Sequence, residues 1–258
     1  MSSSKISIRD LTVDYEPSEG QDTHTALQRV SLDVQTNEFL CVVGPSGCGK
    51  STLISAIAGF IAPRQGSILL DGRSVHRPGA DRGVVFQEYA LLPWKTVLDN
   101  VTLGLRFKGI ERDRRDEIGR EYLALVNLPD VERKYPHELS GGMRQRVAVA
   151  RTLAMNPQIM MMDEPFAAID AQNRMVLQEE LIRIRARSNI TVLFVTHSVE
   201  EAVFLADRVA VMTPGPGRIR EVVEIGIPRD ERHWSAIASD PRFLDLRDRV
   251  LSLAREPS

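Results

Sequence analysis

The feature that most constrains this chain is a glycine-rich segment at residues 44–52, which reads Gly-Pro-Ser-Gly-Cys-Gly-Lys-Ser-Thr. It matches the phosphate-binding pattern G-x-x-x-x-G-K-S. The apolar run 39–43 before it predicts a buried strand, and the sequence 51–58 after it favours a helix. A phosphate-binding loop of this kind connects a strand to a helix, and the predicted flanking elements meet that requirement. The segment therefore predicts a nucleotide site.

The residue types in this segment explain how it would hold a triphosphate. Glycines let the backbone curl so that its N–H groups form a nest for an anion, and the following helix N-terminus adds partial positive charge. Lys50 can reach the β- and γ-phosphates, and the Ser51 hydroxyl can ligate Mg²⁺. The nucleotide contacts predicted here are Gly44, Pro45, Ser46, Gly47, Cys48, Gly49, Lys50, Ser51 and Thr52.

Composition limits the other possibilities. The 258 residues are 43% hydrophobic and 26% charged, which is enough for the core of one large domain with a subdomain. The net charge of −2 gives no basic field for non-specific nucleic-acid binding. Cys41 falls in the predicted strand and Cys48 in the phosphate loop, so we expect reduced thiols and a cytosolic setting. No signal region and no membrane-spanning run is expected, so other chains would supply any membrane spans.

The rest of the chain alternates between strand and helix patterns. Residues 6–13 and 26–34 read as antiparallel strands joined by a polar connection at 16–22, and helical spacing with interspersed charges marks 91–153 as a helical insertion. The tail from 233 to 254 reads mostly as a polar helix. Further strands are predicted at 67–70, 83–86, 159–163, 191–195, 209–212 and 220–225, and a further helix at 170–187.

Two acids, Asp163 and Glu164, end the apolar run that starts at Ile159. Strand ends beside a phosphate loop face the ligand in a parallel sheet. One carboxylate there can hold Mg²⁺ through water, and a second can orient the attacking water as general base. The alternative is a pair of exposed acids at an ordinary strand end.

A second glycine-rich segment lies at 139–145 and precedes a helical pattern. Ser140 would cap that helix, and the N–H groups of its first turn would face outward as a second phosphate cradle. An ordinary helix cap is the alternative, and for this segment alone it is the simpler interpretation. Since the segment lies far along the chain from the first loop, one nucleotide need not touch both within one chain.

Together these motifs resemble those of ABC transporter ATPase subunits and occur in the same order as in that family. The resemblance extends from residue 6 to about residue 225. The matching elements are the adenine-stacking aromatic Tyr15, the Walker A loop 44–52, the Q-loop Gln87, the signature motif 139–145, the Walker B strand 159–164, the D-loop Asp170 and the switch histidine His197. One departure from the family pattern is Ile169 in the D-loop, where leucine is usual. Taken singly, Tyr15 could be a strand-end aromatic, Gln87 a surface amide and His197 a loop histidine.

The resemblance implies an α/β fold: a P-loop NTPase (RecA-like) core with an antiparallel β-subdomain and an inserted α-helical subdomain. It places the core at about 1–90 and 155–230, the helical subdomain at about 91–154 and a C-terminal helical tail at about 231–258. It also implies a homodimer that closes head to tail around ATP and Mg²⁺. The implied roles are Lys50 and Ser51 in the nucleotide's own chain, Ser140, Gly141 and Gly142 on the γ-phosphate from the other chain, Gln87 and Asp163 on Mg²⁺, Glu164 as base, and His197 as γ-phosphate sensor.

Residues 90–101 resemble those of the nitrate, sulfonate and taurine importer ATPases. This implies a peripheral subunit on the cytoplasmic face of the membrane, held by a permease through residues 87–100 and served by a solute-binding protein outside. An exposed Leu-Leu-Pro-Trp at 91–94 suits a partner helix, although it could be a turn packed on its own subdomain. The alternatives are a soluble ABC ATPase acting on nucleic acid or ribosomes, and an assembly scaffold. The single compact cassette argues against the nucleic-acid or ribosome ATPase, and Glu164 argues against the scaffold.

Overall fold

The computed structural model describes residues 4–15, 24–188 and 190–255. The predicted connection at 16–22 and the last three residues of the predicted tail lie outside these ranges. The strands are β1 (Ser4–Tyr15), β2 (His24–Gln35), β3 (Phe39–Val43), β4 (Gln65–Leu70), β5 (Arg73–Ser74), β6 (Arg82–Val85), β7 (Ile159–Asp163), β8 (Thr191–Thr196), β9 (Arg208–Met212) and β10 (Ile219–Glu224). The α-helices are α1 (Lys50–Ala58), α2 (Val97–Val101), α3 (Leu103–Phe107), α4 (Arg112–Leu125), α5 (Gly141–Ala154), α6 (Ala171–Ser188), α7 (Val199–Leu205), α8 (Trp234–Ile237) and α9 (Pro241–Arg255).

The chain divides into two compact units. The first contains Met1–Gly79 and Ile190–Ser258, and the second contains Ala80–Asn189. The predicted strands and the long helices all appear, with ends that differ by a few residues from the sequence patterns. The phosphate loop therefore belongs to the first unit, and the signature segment to the second.

An antiparallel sheet forms one part of the first unit, with strand order β2-β1-β4-β5. It follows from alternation: Ile6 and Ile8 of β1 are fully buried, and they face Val34 and Leu32 of β2. The register shifts after Ile8, where Asp10 adopts a φ of 46°. β1 extends two residues beyond the predicted strand at each end, and Asp14 and Tyr15 pair with Thr25 and His24 of β2.

A second group of strands in this unit carries the phosphate loop. β3 lies between β8 and β9 and is parallel to both, while β10 is antiparallel to β9. All five residues of β3 are buried, as expected for a parallel strand covered on both faces. Val43 pairs with Thr196, so the connections that follow β3 and β8 leave from the same edge.

The C-terminal tail forms two helices where the sequence predicted one mostly polar helix. Pro241 is the first residue of α9, and proline is tolerated there because the first turn needs no N–H donor. Trp234 of α8 stacks on Phe204 of α7 at 4.2 Å between ring centres, and it meets Phe243 of α9 edge-on at 6.0 Å. The buried Arg232 donates hydrogen bonds to the carbonyls of Phe204 and Ala206. The tail is therefore packed on α7.

The second unit combines a parallel pair, β6 and β7, with helices α2 to α6. α5 packs against α2 and α4, which places its middle in the interior of the unit. The close approach of α2 and α4 depends on Gly119, because a Cβ at that position would lie 2.5 Å from Leu98. Both helices bury apolar side chains such as Val97 and Leu123.

Candidate functional site

The phosphate loop follows β3 and wraps the N-terminus of α1. Gly47 and Gly49 have φ values of 79° and 97°, in the left-handed region that favours glycine. Gly49 is the N-cap residue of α1 and supplies no side-chain cap. A Cβ on Gly49 would lie 2.8 Å from the carbonyl oxygen of Ala26, so glycine is required here for space as well as for conformation.

Lys50 is held inside this loop. Its side chain is 5% exposed, and its Nζ donates to the carbonyls of Gly44 at 3.0 Å and Pro45 at 3.1 Å. These two bonds fix the ammonium inside the curve of the loop. Ser51, the next residue, is exposed in the first turn of α1.

Tyr15 lies at the end of β1, beside the same helix. Its hydroxyl is 3.1 Å from that of Thr52, within hydrogen-bond distance. The ring is 42% exposed, so it presents apolar surface next to the phosphate loop. The sequence suggested the aromatic ring but gave no sign of this tie to Thr52.

The back of the phosphate loop packs against the segment before β10. Gly217 donates to the carbonyl of Ala26 at 2.9 Å and accepts from the N–H of Gln28 at 2.9 Å. A Cβ on Gly217 would lie 2.0 Å from the carbonyl oxygen of the buried Cys48. The sequence at 213–217, Thr-Pro-Gly-Pro-Gly, by itself indicates only a turn. The structure shows that Gly217 helps to set the position of the loop.

His197 follows directly after β8 and is exposed at the edge from which the phosphate loop also leaves. Hydrogen bonds fix the turn on both sides of it. The N–H of Ser198 donates to Thr196 Oγ1 at 3.0 Å, and the Thr196 hydroxyl is in turn bonded to the buried carboxylate of Glu201. The N–H of Glu201 donates to Ser198 Oγ at 3.3 Å. Glu201 thus connects the first turn of α7 to the strand end before His197.

Within the second unit, β6 and β7 end at a common edge. Val85 pairs with Met162, so Gln87 follows two residues after one strand and Asp163 ends the other. The three predicted residues Gln87, Asp163 and Glu164 therefore leave the pair from the same side. Glu164 has a φ of 43°, which is uncommon for a residue with a side chain and is found at functional positions.

The signature segment starts α5. Ser140 is the N-cap residue, and its hydroxyl accepts from the N–H of Met143 at 3.3 Å. Gly141 and Gly142 occupy the first turn, and neither has a positive φ. A Cβ on Gly141 would lie 3.5 Å from the Tyr89 hydroxyl, and one on Gly142 would lie 3.5 Å from Leu177. These are ordinary contacts, so the described part of the chain does not itself require glycine at either position.

Asp170 precedes α6 and is exposed. The amide side chain of Asn173 donates to it at 2.8 Å and the backbone N–H of Asn173 donates at 3.1 Å, and these bonds lower the pKa of the Asp170 carboxyl. The carboxylate stays ionised and its orientation is fixed.

Apolar side chains are exposed in the part of the chain that follows β6. Phe86 is 40% exposed and Trp94 is 71% exposed. Phe107, at the end of α3, is 84% exposed. Single exposed apolar residues are common, but a tryptophan this exposed, following the Q-loop, is suited to contact another protein.

The structure thus places the predicted site residues in two sets. Tyr15, residues 44–52 and His197 belong to the first unit, whereas Gln87, Ser140–Gly142, Asp163, Glu164 and Asp170 belong to the second. Sequence reasoning missed Gly217 in the first set. It also did not single out Arg151 of α5, which donates to the carbonyls of Tyr89 and Ala90, because that contact joins residues far apart in the sequence.

Comparison with known proteins identifies the class. The family model described as "ABC transporter" matches residues 27–167, more than half of the chain. An uncharacterised ABC transporter ATP-binding protein of Methanocaldococcus jannaschii is 53% identical over 90% of this chain and 85% of its own length. A taurine import ATP-binding protein of Rhizobium johnstonii is 48% identical over 91% and 90%. A nitrate import ATP-binding protein of Synechococcus elongatus is 46% identical over 88% and 84%.

Solved structures of similar proteins point to the same class. A dimeric ATP-binding cassette, in a post-hydrolysis state with ADP and Pi bound, has a TM-score of 0.76 and 29% identity over 86% of this chain and 100% of that one. The chain therefore belongs to the ABC transporter family, as an ATP-binding subunit that hydrolyses ATP. The predicted fold class and the resemblance stated from the motifs are both confirmed.

Proposed function

We propose that the chain powers the import of a small solute, such as taurine or nitrate, through a separate membrane permease. Support comes from the relatives named as taurine and nitrate import proteins, which match along nearly the whole chain. A cassette that acts on nucleic acid, or a scaffold, is not favoured by any of these relatives.

One observation carries the proposed mechanism. Gly141 and Gly142 have space for a Cβ atom and no left-handed conformation, yet both are glycine. Glycine at such positions keeps a surface open for close approach by something outside the chain. The first turn of α5, with its N–H groups and partial positive charge, suits a phosphate. We assign it to the nucleotide bound by a second copy, and the related dimeric cassette supports a two-fold assembly.

In this assembly each ATP is gripped from both chains. The N–H groups of the phosphate loop and Lys50 bind the phosphates in one copy, and Tyr15 stacks on the base. Ser140, Gly141 and Gly142 of the other copy contact the terminal phosphate. Binding of two nucleotides would therefore close the dimer, and hydrolysis would open it again.

The residues at hand also fit Mg²⁺, which prefers oxygen ligands. Ser51 offers a hydroxyl, Asp163 a carboxylate and Gln87 an amide oxygen. Bound Mg²⁺ would neutralise charge on the phosphates. In the described part of the chain, no group of three or more His, Cys, Asp or Glu side chains could hold a metal. That agrees with a magnesium site completed by phosphate and water oxygens rather than by a protein cage.

Three residues are proposed to act on the reacting groups. Glu164 accepts a proton from the attacking water as general base. His197, fixed through Thr196 and Ser198, donates a hydrogen bond to the terminal phosphate. Asp170, whose carboxylate is oriented and ionised, lies in the D-loop and is proposed to act at the nucleotide site of the closed dimer.

The permease is proposed to dock on the region from Gln87 to Asn100. Trp94 supplies the exposed apolar contact, and Asn100 fixes the backbone around it through hydrogen bonds to the carbonyls of Leu92, Lys95 and Thr96. Among the described residues, no helix has the length and apolar character needed to cross a bilayer. Because the proposed permease would hold this subunit, we propose a peripheral position on the cytoplasmic face, with the solute-binding protein contacting the permease from the other side.

We also propose three functional regions: a nucleotide-binding core at about 1–90 and 155–230, a helical subdomain at about 91–154 and a tail at about 231–258. The helices α2 to α5 support the second region, and α8 and α9 support the third.

A mixing experiment tests the shared site. One chain carries Lys50→Ala and the other carries Gly142→Asp, both in a Glu164→Gln background that keeps ATP intact. A shared site predicts that neither chain alone forms an ATP-dependent dimer. The mixture should form one that retains one intact site and holds one nucleotide. If the Gly142→Asp chain binds ATP tightly as a monomer, and mixing adds nothing, the shared site is wrong.

A further inference from the structure

The segment that follows Gln87 has an unusual backbone. Tyr89 and Ala90 are consecutive and have φ values of 56° and 48°. Left-handed conformations are unfavourable for residues with a Cβ, and two in succession persist only where the surroundings hold them. The N–H of Tyr89 donates to the carbonyl of Phe86 and that of Ala90 to the carbonyl of Glu88, which makes a tight turn.

Arg151 of α5 holds this turn. Its Nη2 donates to the carbonyl of Tyr89 at 2.9 Å, and its Nη1 donates to the carbonyl of Ala90 at 2.5 Å. Burial lowers the pKa of this guanidinium from its ordinary value. The planar fork of an arginine can bond two successive carbonyls in a fixed geometry, which a lysine cannot reproduce.

A second arginine of the same helix contacts the same turn. Arg144 lies seven residues before Arg151, so both project from one face of α5. Its guanidinium carbon is 5.7 Å from the centre of the Tyr89 ring, and its Nη1 donates to the carbonyl of Leu139 at 2.8 Å. The Tyr89 hydroxyl in turn reaches the first turn of α5 at Gly141. We call Tyr89, Ala90, Arg144 and Arg151 the arginine clamp.

We propose that Arg151 is a positioning residue for ATP hydrolysis, because the arginine clamp fixes the backbone after Gln87 to the helix that presents Ser140. This rests on the proposed function, in which Gln87 and Ser140 serve nucleotides. When nucleotide or permease moves Gln87, the clamp moves α5 with it. The signature turn then reaches the partner's nucleotide only when Gln87 is in place.

The test uses Arg151→Lys, which keeps the positive charge and loses the fork. Arg146→Lys is the matched control, since Arg146 is on the same helix and pairs instead with Glu180 at 2.9 Å. Trp234→Phe in every chain leaves Trp94 as the single tryptophan, four residues after Ala90. Melting temperature, ATP turnover and the change in Trp94 emission on ATP addition are then compared.

We expect Arg151→Lys to keep the melting temperature of the control while turnover falls about tenfold and the Trp94 response shrinks. Adding Ala90→Gly should restore part of both, because glycine adopts the left-handed conformation without being held. A purely structural role for Arg151 would not be relieved by a change at residue 90. Parental turnover and Trp94 response in Arg151→Lys, or losses equal to those of Arg146→Lys, would overturn the proposal.

Should Arg151→Lys fail to fold, Tyr89→Ala decides the question from the other side of the clamp. It removes the ring beside Arg144 and leaves the carbonyls in place. A weaker Trp94 response and lower turnover support the clamp, and parental values refute it. The parent itself reports on the proposed function, because turnover without cooperativity between ATP molecules would refute the shared site whatever Arg151 does.

Discussion

Two helix N-termini in this chain carry glycines, and they differ in what the glycines are for. At α1, Gly49 has a left-handed backbone and no room for a Cβ, and Lys50 beside it is buried. At α5, Ser140 caps the helix with its own hydroxyl, and Gly142 has both ordinary dihedrals and free space. The first turn is built by contacts inside the chain. The first turn of α5 carries no side chain at Gly141 or Gly142, although no described contact within the chain requires glycine there.

The difference teaches how a binding surface can be recognised when its ligand arrives with another molecule. A glycine that is needed by its own fold shows this through a positive φ or a clash. A glycine without either reason suits an external approach, and under the proposed function the approaching group is the partner's nucleotide. The predictions below test this distinction, from the largest effect to the smallest.

The largest effect is expected for Glu164→Gln, which should slow turnover by about 10²–10⁴-fold because a general base is lost. ATP affinity should stay near parental, so dimers that hold ATP at both α1 and α5 should accumulate and be visible by light scattering. Glu117→Gln, which affects an exposed ion pair with Arg114, is the control. Parental turnover in Glu164→Gln would show that the base lies elsewhere.

Gly49→Ala tests the glycine that the fold requires. The strained φ and the approach to Ala26 should lower the free energy of unfolding by about 3 kcal/mol, measured in urea without nucleotide. Gly47→Ala is the matched control, because its φ is also positive but nothing lies within 4 Å of its Cβ position. It should cost only about 1–2 kcal/mol. Equal costs at both positions would contradict the role given to the contact with Ala26.

Gly142→Ala tests the glycine that the fold does not require. Its free energy of unfolding should stay within about 1 kcal/mol of the parent, with any change towards stability, since alanine favours helix. Turnover should nevertheless fall about tenfold, and the ATP-dependent dimer should weaken, because a methyl group meets the partner's nucleotide. Normal turnover with an intact dimer would remove the distinction between the two turns.

The smallest effect is expected far from both turns, at Glu38. Burial raises the pKa of this carboxyl above its ordinary value, so the folded protein binds the proton more tightly than the unfolded chain does. Its contribution to stability is therefore greatest below the unfolded pKa and is lost as the pH rises through the folded pKa. Relative to Glu38→Gln, the parent should lose stability as the pH rises above about 4, in urea titrations at each pH. The opposite slope would show that the ion pair with Arg208 dominates.

Sequence patterns predicted the local parts of this structure well. The run before Gly44, the acids after Met162 and the cap at Ser140 are readable because each depends on neighbouring residues. The same patterns identified the family, which the comparisons confirm.

Contacts between distant residues could not be read in this way. Gly217 was seen only as part of a turn, and its role depends on the carbonyl of Cys48, far along the chain. Arg151 was one of many charges on a helix until the carbonyls of Tyr89 and Ala90 were found beside it. The proposed roles of the site residues themselves stay predictions.

The bond between the hydroxyls of Tyr15 and Thr52 has a consequence for selectivity. The bond holds the Tyr15 hydroxyl at α1, so in the proposed site a base would meet the face of the ring. Under the proposed function Tyr15 would therefore add little preference among nucleobases, since every base has a face that can stack on an aromatic ring.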